Sequence, residues 1–158
     1  MVLKLHDHPK NLVDWHSRLS RLEGPHLRIS REPDVVKLLA IADLLITDAS
    51  SVSSEFSLVD RPMIFLDVPE LLAKAEVKQD SMLDLDTWGR KGGTIVGDPA
   101  AVADAVSESL SQPGLHAEVR HAMAADLFYN PGHATDHALA WFRSVIGARD
   151  GAAAPRAS

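Results

Sequence analysis

Residues 43–66 read DLLITDASSVSSEFSLVDRPMIFL. Two short apolar runs, LLIT at 44–47 and MIFL at 63–66, flank a hydroxyl-rich turn and a stretch of helical character from about Ser51 to Val59, which the Arg61-Pro62 pair closes. Runs that are apolar on consecutive positions suit strands covered on both faces. The stretch between them is long enough for the helical crossover that parallel neighbours require. Working outward, VLKL (2–5), HLRIS (26–30) and GGTIVGD (92–98) read as three further short strands. Helical periodicity runs through Leu12, Trp15, Leu19 and Leu22, and again through Val35, Val36, Leu38, Leu39 and Ala42. AAVADAVSESL (100–110) is a helix ended by Gln112-Pro113-Gly114, and two more helices are expected at roughly 115–128 and 133–146. Residues 67–90 show no clear period. This alternation predicts an α/β fold: a Rossmann-like, doubly wound parallel sheet of about five strands with helices on both faces. The expected domain is 1–147, with 148–158 a flexible tail that has little to bury.

Composition limits what the domain can do. With 158 residues, 46% hydrophobic and 24% charged, the chain fits one globular domain. It has no cysteine, which excludes disulfides and thiolate metal sites and fits a reducing compartment, so a cytoplasmic location is expected. Sixteen basic against twenty-two acidic residues give a net charge of -6, which argues against nucleic-acid binding by counterion release. No apolar stretch approaches the roughly 20 residues that span a bilayer.

In a doubly wound sheet, ligands bind outside the carboxyl ends of the strands. The residues to watch are therefore His6 with Asp7 and His8, Ser30 with Arg31, Asp48 with Ser50 and Ser51, Asp67, and Gly97 with Asp98. The turn after LLIT is the richest, with hydroxyls at Thr47, Ser50, Ser51, Ser53 and Ser54. Hydroxyls and main-chain N–H groups at a helix start can donate to phosphate oxygens without net positive charge. The plainer reading is that Asp48, Ser50 or Ser51 caps the helix, which accounts for one polar residue and not for all. No capping box supports it, since Val52 stands three before Glu55.

Other candidates carry less. His133 and His137 share a helical face, but no third ligand accompanies them, and no metal or cofactor is expected. His8 and His16 read as surface residues. Arg90 and Lys91 beside Gly92 and Gly93 read as a charged turn before a strand, the alternative being a basic loop near a ligand. Trp15, Trp88, Trp141 and the Leu-, Val- and Ala-rich helix faces are assigned to packing.

The run ADLLITDASSVSSEFSLVDRPMIFLD resembles the signature region of the CDP-glycerol glycerophosphotransferases, where a strand ends in T-D-x-S-S-V and the next follows x-x-P-x-I-F-x. VLKLH is similar to the family's K-x-H segment, GGTIVGDPAAVADAV to its penultimate strand and helix, and YNPGHATDHAL to its D-G-x-A-[ST]-x-x-R motif. The resemblance implies the C-terminal, donor-binding half of a GT-B architecture, taking CDP-glycerol or another nucleotide-linked donor as substrate. It implies an N-terminal acceptor domain outside this chain, which starts at its first strand and is expected to be one half of the enzyme. That half would supply the base for the acceptor and any peripheral membrane contact.

By the same resemblance Ser50 and Ser51 hold the donor diphosphate and Asp48 fixes the turn. Glu55 reaches a ribose or glycerol hydroxyl, and His6 sits near the transferred phosphoryl group as the catalytic residue. Gly132 and Thr135 would start a helix near the nucleotide. Pro131 replaces the family's aspartate and His137 its arginine, which removes a permanent phosphate donor. Two further readings compete: a UDP-sugar glycosyltransferase or 2-epimerase-like domain, which usually has glycines where Ser50 and Ser51 stand, and a non-catalytic Rossmann-like binding module.

Overall fold

The computed structural model describes residues 1–5, 12–48, 50–70, 72–73 and 87–150, the last three in backbone only. They form two compact units, Met1–Ala42 and Asp43–Ser158. In the first, β1 (Val2–Lys4) pairs in parallel with β2 (Arg28–Ser30), Leu3 opposite Ile29. Helix α1 (Trp15–Ser20) connects them, and α2 (Val35–Ile41) follows. Both helices start at a capping aspartate. The Ser17 amide donates to Asp14 Oδ1 at 3.0 Å, and the Val36 amide donates to Asp34 Oδ1 at 3.0 Å. These bonds satisfy donors that a helix start leaves open.

In the second unit, β3 (Leu45–Thr47), β4 (Met63–Leu66) and β5 (Thr94–Val96) form a parallel sheet in the order β3-β4-β5. Helix α3 (Val52–Ser57) crosses from β3 to β4, and a 3-10 turn (Pro99–Ala101) leads from β5 into α4 (Val102–Ser111). Helices α5 (Ala117–Leu127) and α6 (Ala134–Asp150) follow. Alternate side chains of a strand face opposite ways. Ile64 and Val96 therefore pack with Ala105, Val102 and Val106 of α4 on one face. Met63 and Phe65 take the other, the face of Phe56 (α3) and Met123 (α5), and all four are buried. MIFL is thus the doubly covered central strand that its unbroken apolar run predicts.

The α/β class, the five short parallel strands and the helices on both faces agree with the sequence reading. Hydrogen bonding divides the strands into two sheets, β1-β2 and β3-β4-β5. Helix α3 is shorter than expected, and β5 is an edge strand whose Ile95 is exposed. The last helix corrects an expectation. Leu139 and Trp141 of α6, assigned to packing, are 46% and 60% exposed, beside equally exposed Phe142 and Ile146, and Trp15 is 44% exposed. Asn130 and Gly132, both at positive φ, precede α6, and no other element covers its apolar positions among the described residues. Helix α6 runs to Asp150, three residues into the expected tail, and 151–158 lie outside the described residues. No described helix is long and apolar enough to cross a membrane.

A buried arginine ties this unit together. Arg120 of α5 is 1% exposed; its Nε donates to Asp60 Oδ1 (2.9 Å), and its two terminal nitrogens to the carbonyls of Leu115 (2.6 Å) and Pro113 (3.0 Å). Asp60 lies between α3 and β4 with φ 49°, and its Oδ2 meets His121 Nε2 at 2.7 Å. Burial would raise the Asp60 pKa, but the hydrogen bonds from His121 and Arg120 outweigh it and hold the carboxyl below its ordinary value. A carboxyl lowered by folding stabilises above its unfolded pKa, and the contribution disappears as pH falls through the folded one. The stability gap between wild type and Asp60→Asn in urea melts should therefore be full at neutral pH and shrink below the ordinary value of 3.8.

Gly93 is the second fixed point. A Cβ there would lie 2.2 Å from the Met63 carbonyl oxygen, whereas one on Gly97 would meet nothing within 4 Å. Gly93→Ala should cost more than about 2 kcal/mol by forcing β4 and the loop apart, and Gly97→Ala should stay within about 0.5 kcal/mol. Urea midpoints of the two variants check this.

Candidate functional site

Parallel neighbours end on the same side, so β3, β4 and β5 deliver their following residues to one edge of the sheet. The register pairs Thr47 with Phe65 and Leu66 with Val96, so Asp48, Asp67 and Gly97 leave adjacent strands there. Neighbouring strands lie about 4.8 Å apart, which puts these loops within reach of one small ligand.

The turn after β3 is tight. The Ser50 amide donates to the Asp48 carbonyl at 2.8 Å, and the Ser53 and Ser54 amides turn back to the carbonyls of Ser50 (3.2 Å) and Ser51 (3.0 Å). The hydroxyls divide by task. Those of Ser53 and Ser57 are buried and donate to the carbonyls of Ser50 (2.8 Å) and Ser54 (2.6 Å), holding the short helix together. Ser50 Oγ meets Thr47 Oγ1 at 3.0 Å. That bond uses one proton of the two, so the pair keeps a donor for a ligand. Ser51 is exposed at the N-cap position, with helical dihedrals (φ -60°, ψ -18°) and no side-chain capping bond. Capping serines ordinarily sit in the β region. Capping therefore does not account for Ser50 or Ser51.

Ser51 and Glu55, four apart across the start of α3, share a helical face. A carboxylate there repels a phosphate and accepts from a hydroxyl. Asp48 is partly exposed at the same turn. Asp98 is occupied with capping, its Oδ1 accepting from the Ala100 amide at 2.9 Å, and the space over Gly97 is open. Asp67, after the central strand, pairs with Arg90.

His6, with Asp7 and His8, lies outside the described residues. Gly132 stands at φ 82° in the turn before α6, and Thr135 is exposed in the first turn of that helix. His137 stacks edge-on against Tyr129, centroids 6.1 Å apart. No hydrogen bond joins Gly132, Thr135 or His137 to the serine turn among the described residues. No group of three or more His, Cys, Asp or Glu that could hold a metal occurs among them either. The sequence reading gave Arg90 its place in the chain but not its partner, which is 23 residues away. Only an aspartate ending the central apolar run hinted at it.

A family model described as CDP-Glycerol:Poly(glycerophosphate) glycerophosphotransferase matches residues 1–134, which include the serine turn and end where α6 begins. No curated protein and no solved structure matches the chain.

Because Ser51 makes no capping bond, Ser51→Ala should leave stability within about 0.5 kcal/mol of wild type. Asp34→Ala, which deletes a cap bond at 3.0 Å, should cost about 1 kcal/mol. Thermal melts of the two variants tell whether Ser51 acts as a cap.

Proposed function

The chain belongs to the CDP-glycerol:poly(glycerophosphate) glycerophosphotransferase family, a family of transferases, and from that premise we propose that it binds the nucleotide-linked donor of such a reaction. The observation that carries the reading is that the family match spans the strand, turn and helix in which Ser50 and Ser51 stand uncommitted to capping. In the proposed reaction an acceptor hydroxyl attacks the glycerol-bearing phosphorus of CDP-glycerol. A new phosphorus–oxygen bond forms, the bond to the bridging oxygen breaks, CMP departs and the acceptor's proton passes to a base. Phosphoryl transfer demands positioning and stabilisation of charge on the phosphate oxygens.

The proposed roles are those that the family resemblance implies. Ser50 and Ser51 donate to diphosphate oxygens, and Asp48 holds the turn through its carbonyl and chain path. Glu55 accepts from a ribose or glycerol hydroxyl, the one partner a carboxylate suits there. By the resemblance Gly132 and Thr135 are assigned to the nucleotide and His6 to the transferred phosphoryl, where a ring N–H would stabilise oxygen charge as the bond breaks.

A ligand that binds only the folded state raises stability, by about 2.7 kcal/mol at a hundredfold excess over Kd. Thermal shifts with CMP, CDP-glycerol, UDP-sugars and NAD should show stabilisation by the cytidine compounds, with Ser51→Ala and Asp48→Ala losing most of it. Shifts with UDP-sugars alone would move the assignment to a sugar donor. Silence from every nucleotide in folded protein would favour a binding module without catalysis.

A further inference from the structure

The edge described above is short of positive charge. Asp48, Glu55, Asp67 and Asp98 all stand on it, in a chain of net charge -6, and serine hydroxyls bring no charge of their own. Asp67 is held in place: its amide extends the β4-β5 ladder by donating to the Val96 carbonyl at 2.9 Å. Its carboxylate oxygen Oδ1 accepts from a terminal nitrogen of Arg90, and the two side chains are 29% and 23% exposed. Arg90 belongs to the loop that precedes β5, yet this pair brings its guanidinium to the opposite end of β4.

A partly exposed pair of this kind adds little to stability, so stability is a weak reason for it. What it does is orient. A guanidinium is a rigid, planar fork of five N–H donors, and fixing one nitrogen fixes the plane of the rest. Nε and the second terminal nitrogen of Arg90 have no acceptor among the described residues. The pair also cancels the carboxylate that would otherwise repel an anion at the end of the central strand.

We infer that Arg90 is a phosphate-binding residue of this site, held at the sheet edge by Asp67 as its positioning residue and donating its remaining N–H groups to the donor diphosphate. The inference rests on the donor-binding reading above. Ser50 and Ser51 meet the diphosphate from the β3 side, and Arg90 meets it over β4. Planarity makes the side chain selective for two phosphate oxygens at once, which a lysine would not match.

The test is a ligand-observed NMR titration of the whole chain with CDP-glycerol and with cytidine, which has the base and ribose but no phosphate. Arg90→Gln is expected to weaken CDP-glycerol about tenfold and leave cytidine within about twofold. Arg90→Lys is expected to fall between, by about threefold or more. Equal losses for both ligands, or none for CDP-glycerol, overturn the assignment while the donor-binding reading stands. If the wild type binds neither ligand, both fail. Should Arg90→Gln fold poorly, Arg90→Lys decides: wild-type affinity for CDP-glycerol overturns the assignment. Asp67→Asn is expected to weaken CDP-glycerol although it removes a negative charge; unchanged or tighter binding overturns the part given to Asp67.

Discussion

Arg120 is 1% exposed, and a permanent charge so far from water is tolerated only because each nitrogen of its fork meets an acceptor: Asp60, Leu115 and Pro113. Those acceptors come from two places, the turn between α3 and β4 and the turn before α5. One side chain therefore links the crossover that carries the serine turn to the helix that covers the sheet. Asp60 adopts a left-handed φ of 49° to present its carboxylate, and His121 secures the other oxygen. The same arginine bounds the loop before β5. A Cβ on Gly92 would touch the Arg120 Cγ and Met123 Sδ at ordinary contact distance and crowd only the flexible end of Met63, whereas Gly93 presses against the Met63 backbone. The loop that bears Arg90 thus runs past the central strand at Gly93, where the Met63 backbone leaves no room for a side chain.

On the proposed donor-binding role, this arrangement addresses how an acidic domain could hold an anion. Bulk electrostatics is unfavourable, so attraction has to come from donors placed at short range, where geometry outweighs net charge. The turn after β3 offers hydroxyls, one of them half of a Thr47–Ser50 pair. Across one strand spacing stands a guanidinium already balanced by Asp67. Neither feature alters the long-range field much. In the proposed role both would act only on a ligand that reaches the edge, which would favour a defined diphosphate over accumulation of any polyanion.

Much of this was legible in the sequence, and the limits are physical. The strands could be read because each is a short apolar run bounded by breakers, and MIFL is unbroken because both of its faces are covered. The serine turn could be found because the strand ends point to it. Arg120 could not be found: an arginine inside a helix usually reaches solvent, and its partner Asp60 is 60 residues earlier. The Arg90–Asp67 pair escaped for the same reason, since the loop path that joins them is set by glycine contacts rather than by any local pattern. The face of α6 was misread because periodicity reports that a helix has an apolar side and says nothing about whether another element lies against it.

Helix α3 shows how fold and site coexist in six residues. Ser53, Phe56 and Ser57 turn inward, where Ser53 bonds back to the Ser50 carbonyl of the turn and Ser57 to the Ser54 carbonyl within the helix, while Ser51 and Glu55 stay on the outer side. Serine at 53 and 57 is thus a structural choice: small enough to be buried against the sheet, and able to satisfy its own hydroxyl within the helix. Serine at 50 and 51 has no such internal explanation beyond the contact to Thr47. A cluster that looked uniform in sequence is thus divided: Ser53 and Ser57 are buried and spend their hydroxyls on local carbonyls, whereas Ser51 is exposed and makes no capping bond. On the proposed donor-binding role, changes at Ser51 act on binding and changes at Ser53 and Ser57 on folding, while Ser50, bonded to Thr47, belongs to both.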